Sequence, residues 1–204
     1  MNRIFLLSPA SSGGLRAKML LHQRASFDLA RRVQTSGAPL AEVFTFLSSL
    51  YFRGKVAYVR RFAAPPAGLD PALIITTTLG LVSMDHVVDA GALRAFEGVD
   101  IHHREPRYAR PLQRTAAVLA QGLSAGDQVV LLGSVASGKY VEVLLPIFGD
   151  RLVFPECFVG RGDMSRGGVM LRAAESGKEL SYIPVSSAVR RGSRPPKLTA
   201  TAFR

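Results

Sequence analysis

The sequence has a single cysteine, Cys157, among its 204 residues. One thiol supplies neither an intramolecular disulfide nor a cysteine-based zinc site, which excludes disulfide-stapled scaffolds and zinc fingers. Two adjacent histidines, His102 and His103, make a poor metal-binding pair. We therefore expect no metal and no other cofactor.

Long apolar runs are also missing. No stretch approaches the roughly 18 consecutive apolar residues that a membrane-spanning helix needs. The apolar run at the N-terminus, residues 4–7, is too short for a secretory signal peptide. The sequence therefore predicts a cytoplasmic protein without a membrane partner.

Acidic residues are scarce and unevenly placed. The chain has 15 Asp and Glu against 26 Lys and Arg, a formal net charge of +11, and no acid precedes Asp28. The last residues, Arg190 to Arg204, include basic side chains and no acid. Such a balance predicts a polyanionic partner, of which nucleic acid is the commonest; the alternative is charge that serves only solubility.

The hydrophobic content of 48% is enough for one core, so we expect a single domain over residues 1–189 and a disordered basic tail over 190–204. The pattern predicts an α/β fold with a small, mostly parallel, four-stranded sheet between helices. The expected strands are residues 3–7, 72–78, 127–134 and 151–155. Helices are expected over residues 26–33, 39–62 and 111–123, and residues 87–108 are expected to be irregular or short-helical. A β-hairpin is expected over residues 168–185, turning at Glu175–Lys178.

One loop is similar to a nucleotide-binding P-loop. Gly133, Gly138 and Lys139 have the required spacing, but Tyr140 stands where a small hydroxyl residue must reach magnesium. We therefore interpret residues 133–139 as a clamp for a polymer phosphate, with contacts from Ser134, Ser137 and Lys139. A tight turn with Ser137 as a helix N-cap is the alternative.

Polar and charged residues follow the expected strands, whose carboxyl ends meet at one edge of a parallel sheet. Ser8 follows the first strand, and a glycine-rich loop after the last strand carries Arg161 and Arg166. We expect these three residues to contact nucleic acid. The candidate carboxylates at this edge are Asp85, Glu156 and Asp163; a solvated loop position is the alternative for each.

This arrangement resembles the uracil-DNA glycosylase superfamily. The first strand ends in Ser8-Pro9 and the last in Phe154-Pro155-Glu156, where the superfamily also places prolines, although its first-loop acid and its last-loop His and Ser are not matched. The pattern Leu50-Tyr51…Lys55…Tyr58, with residues 79–82 after the second strand, is similar to an uncharacterised bacterial family placed near these enzymes. In size, charge and order of elements the chain is also similar to small antiphage glycosylases that remove glucosylated hydroxymethylcytosine.

The resemblance implies a monomeric enzyme that flips a modified base out of double-stranded DNA and cleaves its N-glycosidic bond. A carboxylate stabilises the positive charge that develops on the sugar, a role for which Asp85 and Asp163 rank ahead of Glu156. Lys139 is the only lysine in the expected strand-end loops, which disfavours Schiff-base chemistry. Two alternatives remain: a non-enzymatic nucleic-acid-binding module, and a nucleotide-processing α/β enzyme.

Overall fold

The computed structural model describes residues 2–193 and 195–196, and these residues form an α/β sandwich around a six-stranded sheet. The strands, in chain order, are β1 (Arg3–Leu7), β2 (Ala38–Pro39), β3 (Ala72–Ile75), β4 (Leu81–Ser83), β5 (Val87–Val88), β6 (Gln128–Leu132), β7 (Leu152–Pro155) and β8 (Tyr182–Pro184). The large sheet has the order β4-β3-β1-β6-β7-β8, and β2 pairs with β5 in a separate two-stranded sheet.

The centre of the large sheet is parallel, as the sequence predicted. Strands β3, β1, β6 and β7 run in the same direction, with Phe5 opposite Val130 and Ala72. These strands are continuous apolar runs because both faces of the sheet are covered by helices. The predicted count of four strands is wrong, because β4 and β8 add antiparallel edges and so extend the sheet to six strands.

Helices occupy both faces of the sheet. They are α1 (Leu15–Leu21), α2 (Asp28–Thr35), α3 (Leu40–Ser48), α4 (Leu50–Phe62), α5 (Ala90–Glu97), α6 (Pro106–Gln121), α7 (Gly138–Phe148) and α8 (Asp163–Ser176). Helix α4 packs on α8, and α6 packs on α7. Because crossovers between parallel strands are right-handed, these two pairs lie on opposite faces. None of the helices in the described part of the chain is long and apolar enough to cross a membrane.

One helix prediction is wrong, and one helix was not predicted. The single helix expected over residues 39–62 is two helices, separated at Ser49, whose φ of 47° lies in the left-handed region. The stretch 87–108, expected to be irregular or short-helical, contains α5 and the start of α6. Helix α1 was not predicted. Its apolar side chains Leu15 and Met19 are exposed, so the sequence of α1 does not show a clear amphipathic pattern.

The predicted hairpin over residues 168–185 is also wrong. Residues 163–176 form α8 instead, and Gly177 ends that helix with a φ of 69°. A glycine in the left-handed conformation ends helices as readily as it turns hairpins, so the Glu175–Lys178 signal was ambiguous. The chain then returns as β8 and pairs with β7, with Ile183 opposite Phe154.

Two glycines bring α4 and α8 unusually close together. A Cβ atom on Gly54 would lie 2.7 Å from the carbonyl oxygen of Gly167, and one on Gly167 would lie 2.8 Å from the Leu50 carbonyl. No side chain fits between the two backbones at this crossing. The approach places Tyr51 and Lys55 of α4 beside Arg166 of α8.

The start of the basic tail is ordered against the domain. Gly160 has a φ of 70°, and a Cβ there would lie 2.1 Å from the carbonyl oxygen of Ser193. A Cβ atom on Gly192 would likewise lie 2.6 Å from Cγ1 of Val159. Residues 192 and 193, which belong to the tail predicted as disordered, therefore lie against the loop after β7. Residues 194 and 197–204 lie outside the described residues.

Candidate functional site

A cleft of about 580 Å³ opens at the carboxyl ends of β6 and β7. Its walls are the loop after β6, the loop between β7 and α8, and the first residues of the tail. The polar residues among its lining are Ser134, Arg161, Asp163, Arg166, Arg190 and Arg191. Four guanidinium groups and one carboxylate thus share one concave surface.

Two of the arginines are held by the loop that follows β7. The Arg161 side chain donates from Nε to the Cys157 carbonyl at 2.9 Å and from Nη1 to the Ser165 hydroxyl at 3.1 Å. Arg166 is buried and donates from Nη2 to the Phe158 carbonyl at 3.3 Å. These bonds use only part of the donor capacity of each guanidinium, which leaves N–H groups for an anionic ligand.

Asp163 is the first residue of α8 and is exposed to the cleft. Its Oδ1 accepts a hydrogen bond from Nη1 of Arg166 at 3.3 Å, one turn later in the helix. This pairing fixes the carboxylate at the cleft wall while one oxygen remains available. A carboxylate held in this way can stabilise a cationic centre or orient a water molecule.

The tail contributes the third wall. Arg190 forms an ion pair with Glu142 of α7 at 3.2 Å, and Arg191 donates to the Ala136 carbonyl at 3.4 Å. Both contacts fasten residues 190–193 across the loop after β6. The first arginines of the tail, Arg190 and Arg191, thus line the cleft.

A buried polar cluster lies directly behind the cleft, at the end of β1. Lys55 has no exposed surface, and its Nζ donates to the Ser8 carbonyl at 2.7 Å and to the Ser8 hydroxyl at 2.8 Å. The same nitrogen lies 3.9 Å from the centre of the Tyr51 ring, one helical turn earlier. Gly133 makes room for Ser8, since a Cβ there would lie 3.0 Å from the Ser8 Cβ.

Burial sets the ionisation of this cluster. It lowers the pKa of Lys55 to about 7; the charge of nearby Asp163 acts in the opposite direction, and that of Arg166 adds to the lowering. Burial also raises the pKa of Tyr51 to about 12, against smaller lowering contributions that include Arg166 and Ser8. At neutral pH the lysine is therefore poised between its two protonation states, while the phenol stays neutral.

The Tyr51 hydroxyl lies near Ser8 of the cluster and Arg166 of the cleft. It is buried, and among residues 2–193 it makes no hydrogen bond of good geometry, even though Ser8 and Arg166 are near enough to affect its ionisation. The hydroxyl of Tyr140 also lies close to Ser8, and burial raises the pKa of that phenol. A buried donor without a partner costs free energy, about 1–3 kcal/mol, unless a ligand or water satisfies it.

The structure separates the three candidate carboxylates. Asp163 lines the cleft, whereas Glu156 is exposed in the turn after β7, outside the lining residues. Asp85 follows β4, whose antiparallel register returns the chain to the opposite edge of the sheet. Asp85 lies there in a different pocket, with Arg53 and Arg60 of α4. Of the three, only Asp163 lines the cleft that contains the four arginines.

The predicted phosphate contacts also divide. Ser134 lines the cleft, and Ser8 lies behind it. Ser137 is the N-cap residue of α7, but its side chain makes no capping hydrogen bond. Lys139 is exposed on the first turn of α7, and its carbonyl accepts from the Tyr108 hydroxyl at 2.9 Å. Ser137 and Lys139 thus flank the cleft rather than line it.

Sequence reasoning missed Lys55 as a site residue. Tyr51 and Tyr58 lie on the buried face of α4, and Lys55 lies four residues after Tyr51 on that same face. A lysine on a face that is otherwise buried signals a specific partner, because a buried charge needs compensation. That signal was present in the pattern Tyr51…Lys55…Tyr58.

Within the described residues, no group of three or more His, Cys, Asp or Glu side chains is arranged to hold a metal ion. His102 and His103 lie against each other with ring centres 4.5 Å apart. No family model, curated protein or solved structure matches this chain.

Proposed function

We propose that this protein is a DNA glycosylase that flips a modified base out of duplex DNA and hydrolyses its N-glycosidic bond. The observation that carries the proposal is the cleft itself: four arginines and Asp163 surround about 580 Å³ at the carboxyl ends of parallel strands. Arginines supply phosphate contacts, and a single carboxylate supplies the charge that a sugar cation needs.

The size of the cleft supports a flipped nucleotide as its ligand. A volume of about 580 Å³ falls within the range of about 300–1,000 Å³ that small-molecule sites occupy. Extrusion of a base costs a few kcal/mol of stacking, which an apolar side chain inserted into the duplex helps to offset. Met164 is 63% exposed beside Asp163, at the rim of the cleft, and is our candidate for that side chain.

Glucosylated hydroxymethylcytosine of phage DNA is the base that we propose, with antiviral defence as the role. Support for this choice comes from the resemblance to small antiphage glycosylases in size, charge and element order. The four arginines add donors for sugar hydroxyl groups, which an ordinary pyrimidine lacks. We further propose that the protein acts as a monomer and needs no cofactor.

The test is incubation with matched duplexes that contain cytosine, uracil, hydroxymethylcytosine or glucosylated hydroxymethylcytosine, followed by an assay for abasic sites. We expect abasic sites in the glucosylated duplex. Binding to every duplex without abasic sites would instead make the protein a nucleic-acid-binding module. Hydrolysis of free nucleotides without any attack on duplex DNA would make it a nucleotide-processing enzyme.

The carboxylate assignment has its own matched set of variants. Replacement Asp163→Asn should lower base excision by about 10²-fold or more, while DNA affinity stays the same or rises slightly. Replacement Asp85→Asn changes a carboxylate in the other pocket and should leave excision unchanged. Replacement Glu156→Gln tests the remaining candidate, and a loss confined to that variant would move the chemistry to the turn after β7.

A further inference from the structure

The proposed mechanism assigns Asp163 to the sugar cation, so a second group must accept the proton of the attacking water. Asp163 is paired with Arg166, and the loop after β1, residues 8–14, contains no acid. Hydrolysis of a glycosidic bond requires that the attacking water lose a proton as its oxygen joins the sugar. The buried cluster adjoins the cleft, because Ser8 packs against Gly133, whose neighbour Ser134 lines the cleft, and the charges of Asp163 and Arg166 act on Lys55.

We infer that Ser8 and Lys55 form the water-activating pair of the site, with the Ser8 hydroxyl contacting the attacking water and Lys55 acting through it as positioning residue and proton acceptor. The inference rests on the proposed function and adds two roles to it. The 2.8 Å contact between Nζ and the Ser8 hydroxyl is the geometry that a nucleophile or water-activating hydroxyl shares with its base.

The surroundings of Lys55 suit this role better than a purely structural one. A lysine that served only to tie the chain together gains most from a carboxylate partner, yet its two hydrogen-bond partners are both neutral atoms of Ser8. The bond to the Ser8 carbonyl fixes the amine in either protonation state. In the structure the ammonium donates to the Ser8 hydroxyl, which in turn donates to the Leu132 carbonyl at 3.2 Å. The bond between amine and hydroxyl can reverse, because the hydroxyl can turn from that carbonyl and donate to a neutral amine.

The charged and titratable groups around the pair come from three helices. Asp163 and Arg166 lie on α8, Tyr140 on α7, and Tyr51 on α4 itself. The two charges on α8 have opposite signs and oppose each other's influence on Lys55, so burial dominates and favours the neutral amine. The Tyr51 hydroxyl, which makes no hydrogen bond among the described residues, lies near Ser8 and Arg166 and can hydrogen-bond to the water.

The proton and the electrons balance in one step. The water oxygen bonds to C1′ of the sugar, and the N-glycosidic bond breaks with its electron pair leaving on the base. The water proton passes to the Ser8 oxygen as the Ser8 proton passes to the neutral Nζ of Lys55. The base anion, held by the arginines, takes a proton from solvent, and the Lys55 ammonium later releases its proton to solvent.

The test is the single-turnover rate of base excision as a function of pH, on a duplex with glucosylated hydroxymethylcytosine. We expect the parent rate to rise with pH through one midpoint near that of the Lys55 amine, about 7. Ser8→Ala, Lys55→Met and Lys55→Arg should each lose about 10²-fold or more. Arginine stays protonated, so it should not rescue the rate even where it restores the hydrogen bonds.

Two controls separate this role from others. Lys178→Met removes an exposed lysine outside the cleft lining and should keep both rate and midpoint. His103→Asn removes an imidazole near the start of α7, whose Nδ1 would lie 3.5 Å from a Cβ on Gly138, and should keep the midpoint too. The ¹⁵Nζ resonance of Lys55 in the parent should titrate with the same midpoint as the rate, a measurement that needs no variant to fold.

The possible outcomes test the Ser8–Lys55 pair separately from the glycosylase activity. Coincident midpoints with loss in the Ser8 and Lys55 variants support the pair. Excision that is flat with pH, a ¹⁵Nζ midpoint near that of an exposed lysine, or full activity in Ser8→Ala overturns the pair while base excision still supports the glycosylase. Borohydride trapping of Lys55 on abasic DNA also overturns it, in favour of Schiff-base chemistry. A parent that excises no base overturns the proposed function, and the pair with it.

Discussion

At the scale of single residues, Lys55 sets the main cost and the main opportunity of this site. A fully buried amine loses its hydration, and two Ser8 atoms together with the rings of Tyr51 and Phe52 replace it. The charged form is disfavoured as a result. The fold nevertheless places this lysine of α4 beside the end of β1. A leucine or methionine would pack there without the free-energy cost of burying an amine.

This burial makes stability depend on pH in a definite direction. Lys55 has a pKa of about 7 when folded and 10.5 as its ordinary value. Between these values the unfolded chain binds more protons, so the free energy of unfolding should rise with pH by up to about 1.4 kcal/mol per unit. Below pH of about 7 both states are protonated, and the contribution of Lys55 to the slope disappears.

Urea denaturation of the parent between pH of about 7 and about 8.5 measures that slope. This window stays below the ordinary values of Cys157 and of the tyrosines, whose raised pKa values act in the opposite direction at higher pH. Lys55→Met should flatten the slope, and Lys139→Met should preserve it. An equal slope in all three proteins would show that the Lys55 amine does not titrate in this range.

How much of the site the sequence revealed depends on where each residue lies along the chain. The positions of Ser134, Arg161, Asp163 and Arg166 at the cleft were predictable because they lie in the segments that follow β6 and β7, and the carboxyl ends of parallel strands share an edge. Lys55 is 47 residues from its partner Ser8, in the middle of a helix. No local sequence pattern brings Lys55 into contact with Ser8. The packing of α4 against the sheet does.

At the scale of elements, the crossing of α4 and α8 decides where Lys55 and Arg166 meet. Gly54→Ala would place a Cβ atom 2.7 Å from the Gly167 carbonyl oxygen, so the helices must separate. We expect a loss of about 1–3 kcal/mol of stability from overpacking. That loss exceeds the gain of about 1 kcal/mol in helix propensity that alanine brings.

Thermal or urea denaturation checks the Gly54→Ala variant. Gly126→Ala is the matched control, because a Cβ there meets nothing within 4 Å, and its stability should stay close to that of the parent. The Gly54 variant should also titrate its Lys55 amine at a higher pH, since separation of the helices admits water. If Gly54→Ala were as stable as the parent, the close crossing would not be what positions these residues.

The elements show why local signals sometimes mislead. Glu175-Ser-Gly-Lys178 is compatible with a hairpin turn and with a helix end, and the tertiary contact of α8 with α4 selects the helix. Ser49 breaks the 39–62 helix although the apolar spacing continues across it. The parallel strands were predictable because strands that are buried on both faces have continuous apolar sequences.

At the scale of the whole molecule, positive charge gathers where the tail joins the domain. Arg190 and Arg191 complete the cleft, and contacts to Glu142 and Ala136 hold them there. A chain that ends at residue 189 should therefore lose DNA affinity and excision together, whereas one that ends at 193 should retain the cleft wall. Fluorescence anisotropy and the abasic-site assay on both truncations test this, and equal behaviour would place residues 190–193 outside the site.

The net charge of +11 predicts binding to DNA that weakens steeply with salt. The logarithm of affinity should fall linearly with the logarithm of salt concentration, by about 0.9 for each phosphate contacted. Arg191→Gln should reduce that slope by about one contact. Arg60→Gln, in the pocket with Asp85, should leave it unchanged. An affinity that does not vary with salt would contradict a phosphate-binding cleft.

Release of a free base is the property that most directly distinguishes a glycosylase from every alternative. Mass spectrometry of the small-molecule fraction, combined with a count of abasic sites in the same reaction on glucosylated phage DNA, measures it. We expect one free glucosylated hydroxymethylcytosine base per abasic site from the parent, and about 10²-fold less of both from Asp163→Asn. Intact DNA with no free base, or release of a nucleotide in place of a base, would contradict the assignment.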